Sequence, residues 1–203
     1  VALILSQDQD LSEVAEETAR AMDDLIHQGK VLYWGTSEWR GRQLDEVWHL
    51  SRRWNLVPPQ VEQPQYSLLA RQRFESDVQP VATELGMGLC VWSPLASGML
   101  TGKYDDGIPE GTRLSRMEWL RDNVRTDDNV HKVRSFARHA ERMGCSRAQL
   151  ALAWAAKGTG VSSVITGATT LPQLQENLRA LSFDLDETLL RDVNALFSVT
   201  TDR

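Results

Sequence analysis

The stretch Val31-Leu32-Tyr33-Trp34-Gly35-Thr36-Ser37 (VLYWGTS) is an apolar, aromatic run that ends on small hydroxyl residues. That pattern predicts a buried strand. Before it, Leu11 to Gln28 carries Leu11, Val14, Ala15, Thr18, Ala21, Met22, Leu25 and Ile26 at helical spacing, with Ser12 as N-cap and Gly29 as the stop. After it, Arg40 to Trp54 alternates helically up to the Pro58-Pro59 breaker. A strand set between two amphipathic helices is the repeating unit of a parallel sheet with crossover helices.

The unit recurs in both directions. Val1 to Leu5 (VALIL) reads as a strand that opens without a Met, a helix or a turn ahead of it, so the expectation is a chain that starts inside an architecture. Pro59 to Gln63 gives a short strand, Ala70 to Leu85 a helix, and Leu89 to Ser93 (LCVWS) a buried strand. Helices follow at Asp128 to Met143 and Arg147 to Ala156, then a strand at Val161 to Thr166, then helices at Leu171 to Leu181 and Asp186 to Phe197. Between Pro94 and Asp128 the rhythm stops, and Gly98, Gly102, Gly107, Pro109 and Gly111 punctuate a stretch too long for a plain connection, which marks a functional or disordered loop. Five strands alternating with helices predict an α/β fold, either a (β/α)8 barrel or a doubly wound sheet, in a single domain over 1–203. Five units are too few to close a barrel of that kind.

Composition narrows the function. A net charge of −6 and a pI near 5.3 argue against a nucleic-acid surface, which needs a basic face to displace counterions. No run of about 18 apolar residues and no charged leader occurs, so no membrane insertion is expected and the cytoplasm is the expected compartment. Cys90 and Cys145 lack metal or disulfide spacing and read as structural. His27, His49, His131 and His139 fall at polar helix positions and read as surface residues.

In either architecture ligands meet the carboxyl ends of the strands. Those ends carry Gln7 and Asp8; Gly35 to Glu38; Glu62, Gln63 and Gln65; Trp92 to Pro94; and Gly167 to Thr169. Neutral hydrogen-bonding groups with one large aromatic suit a flat, amide-bearing ligand. After the last strand, Thr170 and Gln173 stand in capping-box spacing with Pro172 in the first turn, a helix start suited to an anion, and Lys103 and Arg113 are candidate cations for the same ligand.

The blocks Gly29 to Trp39 (GKVLYWGTSEW), Val61 to Leu69 (VEQPQYSLL), Val91 to Arg113 (VWSPLASGMLTGKYDDGIPEGTR) and Ser162 to Asn177 (SSVITGATTLPQLQEN) resemble aldo-keto reductases, with Glu16 to Met22 (EETARAM) as a fifth. The resemblance covers essentially the whole chain and is closest to the branch of potassium-channel beta subunits and related bacterial reductases. It implies a (β/α)8 TIM barrel, here incomplete with about five β/α units, that binds NADP(H) without a GxGxxG motif. Carried over by position, it implies that Ser37 and Gln63 bond the carboxamide and that Trp92 stacks on the nicotinamide. Ser93, Leu95, Ser97 and Gly98 would line the pyrophosphate, and Lys103 and Arg113 would contact phosphate and adenosine. Gly167, Thr169, Gln173, Glu176 and Asn177 would hold the 2′-phosphate and adenine.

The resemblance also implies NADPH-dependent reduction of an aldehyde or ketone, in which a Tyr with its pKa lowered by a Lys protonates the carbonyl oxygen. The family's catalytic Asp, Tyr and Lys would lie upstream, so this chain alone is expected to be an inactive, amino-terminally truncated fragment. Gln7 falls at the family's catalytic His or Asn position, and Glu38 where Asn or Arg is common. Gly111 replaces a Tyr in the lid. Of the tyrosines, Tyr33 reads as core, Tyr66 as a pocket residue and Tyr104 as part of the lid. The expected partner is a small-molecule carbonyl substrate, with homo-oligomerisation left open. The alternative is an NADP(H)-binding regulatory subunit without turnover.

Overall fold

The computed structural model describes residues 2–5 and 11–198. Their elements run β1 (Ala2–Leu5), α1 (Leu11–His27), β2 (Trp34–Ser37), α2 (Gly41–Arg53), β3 (Val61–Gln63), a π-turn (Phe74–Val78) leading into α3 (Gln79–Glu84), and β4 (Gly88–Val91). Then come α4 (Arg113–Arg116), α5 (Glu118–Val124), α6 (Asp127–Arg142), α7 (Arg147–Ala156), β5 (Val161–Val164), α8 (Leu171–Arg179) and α9 (Glu187–Leu196). The strands lie side by side in chain order, β1-β2-β3-β4-β5, and the first three pairs are parallel. A doubly wound sheet reverses its strand order at a switch point. This unreversed order is that of a (β/α)8 barrel, incomplete at five strands.

The described residues fall into two compact units. The first comprises those of Val1–Gln65, Gln72–Trp92 and Thr159–Ser163; the second comprises those of Tyr66–Arg71, Ser93–Gly158 and Val164–Arg203. In the first unit all four residues of β2 are buried, as expected of a strand inside a parallel sheet covered by helices. Its register pairs Gly35 with Val61 and Ser37 with Gln63. A Cβ on Gly35 would sit 2.3 Å from the Val61 carbonyl oxygen, so only glycine fits there. Trp34, Leu44, Val47, Leu89 and Val91 form the core of this unit.

Two expectations change here. Tyr33, expected in the core, is 58% exposed because β2 starts only at Trp34, whose indole N–H donates to the Val57 carbonyl (2.7 Å). The helix expected from Ala70 to Leu85 is interrupted by the π-turn, in which the Gln79 amide donates to the Phe74 carbonyl five residues back. Pro80 gives the reason. A proline inside a helix has no N–H and crowds the carbonyl four residues before it, and one inserted residue relieves both.

In the second unit α7 (RAQLALAWAA) is buried from Ala148 to Ala155, apolar almost all round, and Ser146 starts it with a complete capping box to Gln149. Phe136 of α6 meets Phe197 edge-on at 5.5 Å. The long loop is organised by a 3₁₀ turn at Ala96–Thr101 and by α4 and α5. Arg147, bonded to Asp105 (2.7 Å) and to the Val133 carbonyl, packs over Gly102 and pins that loop to the start of α7. His139 differs from the surface expectation: it is half-buried, and its Nδ1 is enclosed without a partner. Tyr104, assigned to the lid, is wholly buried, with its hydroxyl also unpartnered.

Candidate functional site

The ends of β2, β3 and β4 are tied together by side chains that leave strand geometry at one point. Ser37 closes β2, and its hydroxyl donates to the Gln63 carbonyl (3.0 Å), which the Glu38 amide also approaches (3.3 Å). Glu38 then turns into the left-handed region (φ 63), an arrangement that costs a non-glycine residue about 1–2 kcal/mol. Four contacts offset that cost. The Glu38 carboxylate accepts from the Gln65 amide (2.7 Å), from the Trp92 indole N–H (2.8 Å) and from Arg73 Nη1 (2.8 Å), while Arg73 Nη2 donates to the Glu38 carbonyl (2.6 Å).

Behind this knot sits Glu62. It is wholly buried on β3 and accepts from the Thr36 hydroxyl and from the Trp39 amide (3.1 Å). Burial pushes its carboxyl up to about 7, against hydrogen bonds that favour the charged form, and the neighbouring Glu38 charge adds to the rise. A carboxyl half-ionised near neutrality thus holds the β2–α2 turn from inside.

Of the expected nicotinamide residues, Ser37, Gln63 and Trp92 all belong to this unit and stand at adjacent strand ends. Trp92 is half-buried, with its indole edge fixed by Glu38.

In the second unit, Ser93 (φ 58), Ala96 (φ 46), Ser97 (φ 57) and Gly98 (φ 91) share left-handed backbone, the kind of turn that gathers N–H groups into an anion cradle. Leu95 lies between them, its carbonyl accepting from the Gly98 and Leu100 amides. Lys103 folds back over the turn: a Cβ on Gly98 would meet its Cε and Nζ at 2.6 Å. A cation over a backbone turn is a donor set that suits phosphate. Arg113 is exposed at the start of α4.

At α8 the expected capping box forms only by half. Thr170 accepts from the Gln173 amide (3.4 Å), but the Gln173 side chain reaches past Thr170 to the Thr169 amide (2.8 Å) and hydroxyl (3.1 Å). Asn177 donates to the Gly167 carbonyl (3.4 Å), and the Glu176 carbonyl accepts from Gln149 (3.2 Å). Leu171, Leu174 and Leu178 of α8 are exposed. Gln7 lies outside the described residues, as does Asp8. Among the described residues no cluster of His, Cys, Asp and Glu could hold a metal, and no helix is long and apolar enough to cross a membrane.

Reading the sequence missed Arg73 and the work of Glu38 and Glu62. Glu62 had a signal, as a charged residue between Val61 and Gln63 in a strand. Arg73 had none, since it lies 35 residues beyond its partner.

Residues 2–197 match the family profile described as Aldo/keto reductase family. A curated relative, the "Putative voltage-gated potassium channel subunit beta" of Schizosaccharomyces pombe, is 40% identical over 206 residues, covering 98% of this chain and 60% of the relative. Two proteins each named "Probable voltage-gated potassium channel subunit beta", from Arabidopsis thaliana and Oryza sativa subsp. japonica, are 47% identical over 175 residues, covering 85% of this chain and 53% of each relative. The chain therefore spans little more than half the length of these relatives. Their names correct the partner expectation: a small-molecule substrate with an open question of self-association leaves out what the names state, a subunit of a channel assembly.

Proposed function

Because the chain belongs to the aldo/keto reductase family, an oxidoreductase family, we propose that it binds NADP(H) and serves the reduction of an aldehyde or ketone. The observation that carries this reading is the half-buried Trp92, at the end of β4 with its indole edge held by a carboxylate and with Ser37 and Gln63 at the neighbouring strand ends. NADPH, when bound, supplies the hydride. Ser37 and the Gln63 amide orient the carboxamide, and the Trp92 ring stacks on the nicotinamide and limits which face is open to substrate. Ser93, Leu95, Ser97 and Gly98 line the pyrophosphate; Lys103 and Arg113 neutralise phosphate charge. Gly167, Thr169, Gln173, Glu176 and Asn177 take the adenosine end. The family's chemistry needs an Asp, a Tyr and a Lys to move the proton, and Gln7 falls at the sequence position of the family's His or Asn.

Titration with NADPH tests this. The protein has seven tryptophans, so a partial fluorescence quench is expected, and Trp92→Phe should remove most of it. An equal quench in the variant would remove Trp92 from the ring's neighbourhood; no quench in either protein would sink the cofactor reading.

The relatives' names favour a second reading, an NADP(H)-binding subunit that assembles with a potassium-channel polypeptide and senses the cofactor without turnover. Single-turnover assays with NADPH and simple aldehydes separate the two. Hydride transfer supports the reductase, whereas tight NADPH binding with no transfer in the intact protein supports the subunit.

A further inference from the structure

We propose that Glu38 is a positioning residue for the nicotinamide subsite, a latch that, with Arg73, fixes the orientation of the Trp92 indole; the proposal rests on the cofactor reading above. Its basis is the convergence of donors on one carboxylate. Glu38 Oε1 accepts from both the Trp92 indole N–H (2.8 Å) and the Gln65 amide (2.7 Å), and Oε2 accepts from Arg73 Nη1 (2.8 Å). Arg73 Nη2 closes the loop on the Glu38 carbonyl (2.6 Å). The latch thereby joins the end of β2, the chain beyond β3, the segment leading to the π-turn and the end of β4.

An indole has one polar atom, and it is a donor only. A Trp at a ligand-facing strand end can therefore be held in its plane by one acceptor, and here that acceptor is charged, which makes the bond short and strong. Residue 38 must then present an acceptor. The left-handed backbone is what swings the carboxylate under the indole edge instead of along the strand. Glu38 and Arg73 are both partly exposed, where an ion pair by itself adds little stability. The pair's consequence is therefore orientation of the ring. An aromatic wall free to rotate would lose stacking area on a flat ligand and would no longer hide one of its faces.

The test uses the intact protein labelled with 15N at tryptophan, the Trp92 indole resonance being assigned by its loss in Trp92→Phe. In Glu38→Ala that resonance should move upfield and its proton exchange faster with water. Glu38→Gln, which keeps an acceptor, should restore most of its position and also serves if the alanine variant folds poorly. Arg73→Gln should give a smaller shift. In parallel, the NADPH dissociation constant should rise about tenfold in Glu38→Ala, as for loss of a bond to a charged group. In a Trp92→Phe background the same substitution should add less than about twofold, because the latch acts through the indole. A resonance that stays in place overturns the latch. A resonance that moves while NADPH affinity is unchanged overturns the role toward the cofactor. If the unaltered protein binds no NADPH, the reading beneath the proposal fails first, and the indole resonance still decides whether the latch exists.

Discussion

The strand ends of the first unit and the residues around the start of α8 in the second handle their polar groups differently. At the ends of β2, β3 and β4, side chains bond across long sequence separations: Thr36 to Glu62, Glu38 to Trp92, Arg73 to Glu38. At Thr169 to Asn177, side chains bond backbone and side chains within ten residues and remain largely exposed. A cross-chain network forms only when the sheet is complete, so its geometry is set by the fold. A local cap sets itself, and it can rearrange around a ligand at little cost.

The contrast can be broken by substitutions whose effects should descend from the first region to the second. Gly35→Ala drives a Cβ into the Val61 carbonyl and should destabilise the protein by about 3 kcal/mol or more, read by urea denaturation. A loss under about 1 kcal/mol would mean the β2–β3 pair can part. Next is Glu62. Its carboxyl is raised from 4.5 to about 7 in the fold. The folded state then binds the proton more tightly than the unfolded chain, so the stability this group contributes is full below pH 4.5. It falls as pH rises through about 7, a loss on the order of 3 kcal/mol. Glu62→Gln should flatten that slope between pH 5 and 8; a slope that persists would belong to other groups.

In the second region, Lys103→Ala should weaken NADPH about tenfold and NADH less, if Lys103 meets the extra phosphate. Equal losses would assign it to the pyrophosphate shared by both. The mildest changes are at helix starts. Ser146→Ala breaks a complete capping box and should cost about 1 kcal/mol, whereas Thr170→Ala, whose bond to the Gln173 amide is long at 3.4 Å, should cost about 0.5 kcal/mol. Thermal unfolding of the two variants gives that ratio, and the reverse order would show that α8 is more tightly started than its geometry implies.

Much of the fold could be read because each unit repeats one pattern, an apolar run followed by a helix-spaced stretch, and all five strands lie where that pattern put them. The strand β2 starts late because Leu32 and Tyr33 are apolar yet exposed, and apolar character alone cannot tell a strand from the turn before it. The candidate site could be read only as a set of strand-end positions. Its wiring could not be read: the partners of Glu38 stand 27, 35 and 54 residues away, and no spacing rule joins them. Gln173 shows the opposite limit, where spacing named a cap and the side chain bonded one residue earlier.

The π-turn at Phe74–Val78 bears on how this chain tolerates insertion and deletion. It is one residue more than an α-helix needs, placed where Asp77 turns its carbonyl and carboxylate toward Gly41, whose amide donates to Asp77 Oδ1 (3.2 Å). Deleting one residue there would rotate everything up to the turn by about 100° relative to α3 and carry Arg73 away from Glu38. Replacing Gly41 alone would meet the bulged carbonyl at 2.3 Å. The length of this segment and the glycine facing it are therefore expected to change together when sequences of this kind diverge.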